Sequence, residues 1–251
     1  PPEFASITSQ VPLVNFEFRA GESGFEAEVA QPAMGGAPVG SWSREDQPAA
    51  WRVGLQFTNF NGDRLSTSFT LDRSVVEQAT AEFGFTRAEM QAIFDGCKRC
   101  DQAEYDRRVA EHYRSRGLTA VQTPTTTLLT VNMAELVRRN APRLRAAAAE
   151  VERIALERHY DSTATIGAVL ALAQTSLAYY RPPMQEGGKE IMGLYVPPQV
   201  LATGKGDCDS KTGLVASVLR NFSGAKLIGG ATEVKIFGEY VAVKAAVSHL
   251  E

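Results

Sequence analysis

Cysteine, histidine and tryptophan are scarce in this chain of 251 residues, at three, three and two copies. Three cysteines cannot build a disulfide framework, so the fold has to be held by its core. A zinc site needs four ligands. The chain offers one C-x-x-C pair, Cys97 and Cys100 in "DGCKRC", with no second pair, no closely spaced histidines, and His112 as a lone third ligand one helical stretch downstream. The pair therefore reads as structural thiols or a local disulfide, and no metal or cofactor is expected. A redox dithiol normally opens a helix after a strand, whereas this pair falls in a polar helical stretch, which argues against that use. A strong excess of one charge is also lacking. A net charge of -3 speaks against a partner held by broad phosphate neutralisation, so no nucleic acid is expected. No apolar run is long enough for a membrane span. The longest, "IGAVLALAQTSLAYY" from Ile166 to Tyr180, is interrupted by Gln174, Thr175 and Ser176 and reads as a buried helix.

What is present is an ordinary globular composition, 44% hydrophobic and 22% charged, at a length that fits one large domain or two modest ones. The ends, "PPEF" and "LE", read as cloning-site remnants, so Glu3, Phe4, Leu250 and Glu251 are left out of fold reasoning. The lack of a signal peptide then leaves the compartment open, cytoplasmic or secreted and periplasmic alike. Oligomeric state has no signature in the sequence.

The first third is strand-rich. "PLVNFEFRA" (Pro12 to Ala20) and "FEAEVA" (Phe25 to Ala30) alternate as half-buried strands do. Gln31 to Ala50 reads as a loop by its glycines and prolines. "WRVGLQFTNF" and "RLSTSFTL" flank Asn61-Gly62-Asp63, which predicts a hairpin with a type I′ turn. From Asp72 the pattern is helical. Asp72 is placed to cap a helix ending at Gly84, Thr86 and Glu89 match a capping box, and a charged helix stops at Gly117. A Thr-rich link with Pro124 follows, and a domain boundary is placed within Leu118 to Thr130. Beyond it the chain is helical again, with a break at Pro142. His112 and His159 lie on charged helical stretches and read as solvated.

The last third carries the chemistry. In "GKGDCDSKTGLVASVLR" (Gly204 to Arg220), a glycine-rich turn leads to Cys208, after which Leu214, Val215, Val218 and Leu219 fall at helical spacing with one face inward. Asp207 is placed to accept from the free N–H groups of the first turn. A cysteine at a helix start has its thiolate favoured by those groups, which are also suited to hold an oxyanion; Asp207 and Asp209 push the other way.

The stretch from Tyr180 to Arg220, with "YRPP", "PPQVL" and above all "GKGDCDSKTGL", resembles the bacterial transglutaminase-like cysteine peptidase family. The resemblance covers about the last seventy residues; its motif is Gly206, Asp207, Cys208 and Asp209 with Lys211. It implies Cys208 as nucleophile and a papain-like fold, in which the Cys helix packs on an antiparallel sheet bearing a histidine and then an acid. The histidine strand expected after "GAKLIGG" is missing: Gly230 runs straight into Ala231. Either the protein is an inactive member, or the stretch that carries the histidine is absent from this sequence. The acid position shows Lys244, and His249, at the extreme end, is the remaining histidine to consider as a base. The expectation is an α+β protein in two parts. Residues 5–125 form a β-rich and helical region of unknown role, and residues 126–249 a helical segment followed by the transglutaminase-like domain. The expected activity is that of a cysteine hydrolase or acyltransferase on amide bonds of a protein or peptide substrate. The alternative is an inactive module that binds a peptide or protein in the same cleft.

Overall fold

The computed structural model describes residues 40–122, 127–222, 226–228, 231–236 and 239–242. The strands expected at Pro12 to Ala20 and Phe25 to Ala30, and the residues Lys244 and His249, lie outside these. The described part is α+β.

Three antiparallel strands come first, β1 (Ser41–Asp46), β2 (Ala50–Thr58) and β3 (Arg64–Asp72), in the order β1-β2-β3. Along β3, Leu65, Thr67, Phe69 and Leu71 are buried and their neighbours exposed, the alternation of a strand with one face on a core. The β2–β3 hairpin forms as the sequence predicts, but its turn is not type I′. Asn59 N–H donates to the Asp63 carbonyl and Gly62 N–H to the Asn59 carbonyl, and within the turn a positive φ occurs at Gly62 alone. This is a three-residue loop with glycine in the left-handed position. Asn61 is used through its side chain, which accepts from Asp63 N–H. The strand β1 is a second correction, because Gln31 to Ala50 reads as a loop. Nearly all of β1 is exposed, so it lacks the apolar alternation that betrays a strand; pairing with β2, from Ser41 opposite Gln56 to Asp46 opposite Trp51, defines it.

The helical middle follows. Helix α1 (Arg73–Glu82) has Asp72 at its cap position, yet the Asp72 side chain makes no capping bond. After β4 (Phe85–Thr86), α2 (Arg87–Asp95) begins with the Thr86–Glu89 capping box read from the sequence. Cys97 and Cys100 are joined by a disulfide in the turn before α3 (Gln102–Ser115), outside the helices and not within one. The Thr-rich stretch is flanked by a strand pair, β5 (Leu118–Gln122) and β6 (Thr127–Val131). Helix α4 (Met133–Asn140) passes through a 3₁₀ turn at Ala141–Leu144, around Pro142, into α5 (Arg145–Glu157). The break falls where proline, lacking an N–H, forces it.

The C-terminal part comprises α6 (Ser162–Thr175), β7 (Ala178–Tyr179), the paired β8 (Gln185–Glu186) and β9 (Lys189–Glu190), α7 (Pro197–Thr203), β10 (Lys205–Gly206) and α8 (Cys208–Leu219). The expected buried helix is α6, which stops before Tyr180. Strands β11 (Lys226–Ile228), β12 (Ala231–Ile236) and β13 (Glu239–Ala242) form an antiparallel sheet in that order, and α8 lies against β12.

One hydrophobic cluster joins β2, β3, α1 and the helices α4 to α8. Val53 and Phe57 of β2, Val151 of α5, Val169 of α6, and Leu214 and Val218 of α8 all belong to it. Residues on both sides of Leu118–Thr130 therefore share the same core. Helix α8 is buried on nearly every side, not on one face: Ser210 and Gly213 through Leu219 are all buried. A Cβ on Gly213 would sit 3.2 Å from Leu136 Cδ2, so close packing with α4 accounts for the small residue. Among the described residues, no helix is long and apolar enough to cross a membrane.

Phe57 is 1% exposed and Phe60, three residues on, is 68% exposed. Phe57→Ala should lower unfolding free energy by about 3–5 kcal/mol in urea titration, whereas Phe60→Ala should change it by less than about 1 kcal/mol.

Candidate functional site

The turn that carries Cys208 is assembled from local constraints. Helix α7 ends at Gly204, whose φ of +70° suits glycine and whose N–H donates to the Val200 carbonyl. A Cβ at Gly204 would lie 2.3 Å from the Trp42 ring, so the indole also requires glycine there. Strand β10 then pairs in parallel with β7: Ala178 N–H donates to Gly204 O at 2.9 Å and Tyr180 N–H to Gly206 O at 3.2 Å. Gly206 is buried, and a Cβ on it would come within 2.9 Å of Ser210 Cβ. Asp207 caps α8 by accepting from Ser210 N–H at 2.9 Å. Ser210, fully buried, accepts from Tyr195 N–H at 3.0 Å. Lys211 donates from Nζ to the Leu177 carbonyl at 2.7 Å, and burial holds its ammonium below its ordinary range. Gly206, Asp207, Ser210 and Lys211 thus hold the turn, and Cys208, the first residue of α8, is left exposed.

The electrostatics favour the neutral thiol. Desolvation is the largest cause that raises the Cys208 pKa, followed by the carboxylates of Asp209 and Asp207. Asp209 N–H is turned to the sulfur and opposes them, but it does not prevail. The sulfur lies 3.7 Å from Asp209 Oδ1. Asp209 is itself pushed up, by desolvation and then by Asp207. Burial and the acidic neighbours together raise the thiol although it stands at a helix start. Tyr179, exposed on β7, feels Cys208 and Asp207: desolvation first and then those two groups raise its phenol. That residue carries no sequence signal of its own; only the β7–β10 pairing brings it to the thiol. Among the described residues, Asp207, Cys208 and Asp209 are the one group of three potential metal donors within 4.8 Å of one another. They are consecutive residues of a single turn, and Asp207 is already engaged as the cap.

The other candidates lie elsewhere. His112 sits on α3, half-buried; its Nε2 is withdrawn from water and burial lowers its pKa. His159 is not on a helix. It follows α5 with φ of +53°, and Tyr160 N–H reaches back to the Ala155 carbonyl while His159 N–H reaches Leu156. That is a Schellman ending with histidine where glycine is usual. Neither is bonded to Cys208. Ile228 of β11 pairs directly with Ala231 of β12, so no strand stands between them where the resemblance leads one to expect a histidine. His249 and Lys244 are outside the described residues.

No family model, no curated protein and no solved structure matches this chain. The chemistry of the site therefore rests on its own geometry.

Iodoacetamide labelling of Cys208, located by peptide mass mapping, should accelerate with pH about a midpoint above the free-thiol value of about 8.5. Asp209→Asn should lower that midpoint, because it removes the carboxylate that disfavours the thiolate more strongly of the two.

Proposed function

We propose that the protein is a cysteine hydrolase or acyltransferase of the transglutaminase-like class, acting on amide bonds of a protein or peptide through Cys208. The observation that carries this is the placement of Cys208: an exposed thiol at the first position of a helix whose later turns are buried and whose cap is already satisfied by Asp207. The papain-like arrangement is supported by the antiparallel three-stranded sheet that comes after α8 in the chain and against which the Cys helix lies.

In this reading the sulfur attacks the carbonyl carbon, an S–C bond forms as the C–N bond breaks, and the amine leaves with a proton. Backbone N–H groups at the start of α8 hold the developing oxyanion. Because the resting group is the neutral thiol, its proton must leave during attack, and a base is required. His249 is the histidine this sequence offers for that role. Water as acceptor gives hydrolysis and an amine gives transamidation.

A second reading is favoured by the raised thiol and by the direct pairing of β11 with β12. It takes the protein as a catalytically inactive module that binds a peptide or protein in the same cleft.

The two readings separate on acyl transfer. At matched pH, p-nitrophenyl acetate should acylate Cys208 at least ~10²-fold faster per thiolate than it acylates a cysteine in an unstructured peptide. Cys208→Ala should abolish the leaving-group burst. Acylation no faster than that of the peptide would favour the binding module.

A further inference from the structure

The sequence leaves the N-terminal sheet without a role, and the structure carries its edge strand to the turn before Cys208. A helix ends with four carbonyls that have no partner within it. At the end of α7 these are Val200, Leu201, Ala202 and Thr203. Gly204 N–H takes the first. Trp42 Nε1–H donates to the Leu201 carbonyl at 2.8 Å, and Arg44 Nη1 donates to the Ala202 carbonyl at 3.0 Å. Both donors belong to β1 and stand 159 and 158 residues before their acceptors.

These bonds are built, not incidental. The Trp42 ring lies on Gly204, at the one residue of the α7 ending with a left-handed backbone. The Arg44 guanidinium is stacked 5.1 Å from the centre of the Trp51 ring, which orients it. The strand is fixed at its own start. A Cβ on Gly40 would lie 2.2 Å from the Gln56 carbonyl oxygen and 2.8 Å from that of Thr175, so the chain is wedged between β2 and the end of α6. From Gly204 only β10 and Asp207 separate the clamp from Cys208, and β10 is held on its other side by β7. The clamp and the β7–β10 pairing together fix the direction in which the chain leaves α7.

We infer that Trp42 and Arg44 are positioning residues for Cys208: β1 caps the end of α7 and thereby fixes the Gly204–Asp207 turn from which the thiol is presented. This rests on the reading of Cys208 as the nucleophile. Neither residue touches the sulfur; both act through the Gly204–Asp207 turn.

The test uses the whole chain and three variants, each assayed well below its own melting temperature. Trp42→Phe keeps a ring over Gly204 and removes the N–H. Arg44→Met keeps the stem and removes the guanidinium. Leu65→Ala, in the buried face of β3, lowers stability without touching the turn. In Trp42→Phe, acylation of Cys208 by p-nitrophenyl acetate should fall about tenfold, as expected when a reacting group is displaced by a fraction of an ångström. The pH midpoint for iodoacetamide labelling should move down toward that of a free thiol, and Arg44→Met should shift both in the same direction. Leu65→Ala should keep the wild-type rate and midpoint. The inference is overturned if Trp42→Phe and Arg44→Met match the wild type in both readouts, or if Leu65→Ala shifts them as far. Should wild-type Cys208 react no faster than an unstructured cysteine, the proposed activity falls. The labelling midpoint alone then decides whether β1 sets the environment of the thiol. If Trp42→Phe does not fold, Arg44→Met carries the same decision.

Discussion

Everything at this site depends on a helix that is buried on nearly every side beyond its first turn. Because α8 is surrounded by α4, α5, α6, α7 and β12, its axis is set by the core, and the placement of its first residue is left to the turn that enters it. A surface helix can fray or rotate at its start, and a nucleophile placed there would wander with it. Here the fraying end is stopped by the Asp207 cap and by the Tyr195 N–H held on buried Ser210. Cys208 is exposed at the end of an element that is otherwise immobilised by packing.

The same turn sets a chemical tension. A helix start favours a negative sulfur, and Asp209 N–H is turned to it; two carboxylates in adjacent positions and partial withdrawal from water disfavour it. The balance leaves a thiol. Such a group is quiet toward passing electrophiles and becomes reactive only when a base takes its proton, which suits an enzyme that should act on a bound substrate and not on solvent-borne ones. It equally suits a module that only binds, and this is why rate acceleration, not exposure of the thiol, separates the two readings.

Much of the local structure was legible in the sequence because its signals are local. Thr86 and Glu89 announce a capping box three residues apart, Pro142 breaks a helix where it stands, and Asp207 before Cys208 caps the helix it precedes. What was not legible depends on distant partners. Strand β1 has no apolar alternation, since β2 alone holds it in the sheet, so Ser41–Asp46 reads as loop. His159 fills a left-handed position usually given to glycine, which no helical pattern reveals. The type I′ expectation at Asn61-Gly62 failed because the pairing of Asn59 with Asp63 makes the loop one residue longer than that turn needs. Trp42 and Arg44 have no motif at all; their meaning appears only when the end of α7 is brought to them.

If the Cys208 turn is held as firmly as the core it adjoins, its amides must be protected like those of the core. Native-state hydrogen exchange, read residue by residue, tests this most directly. Gly204, Ser210 and Lys211 donate to Val200, Asp207 side-chain and Asp207 backbone oxygens respectively, so their amides should exchange as slowly as those in the middle of α6. Exchange of these three amides at the rate of the open Gly187-Gly188 turn would contradict this and would mean that Cys208 stands on a loosely held loop.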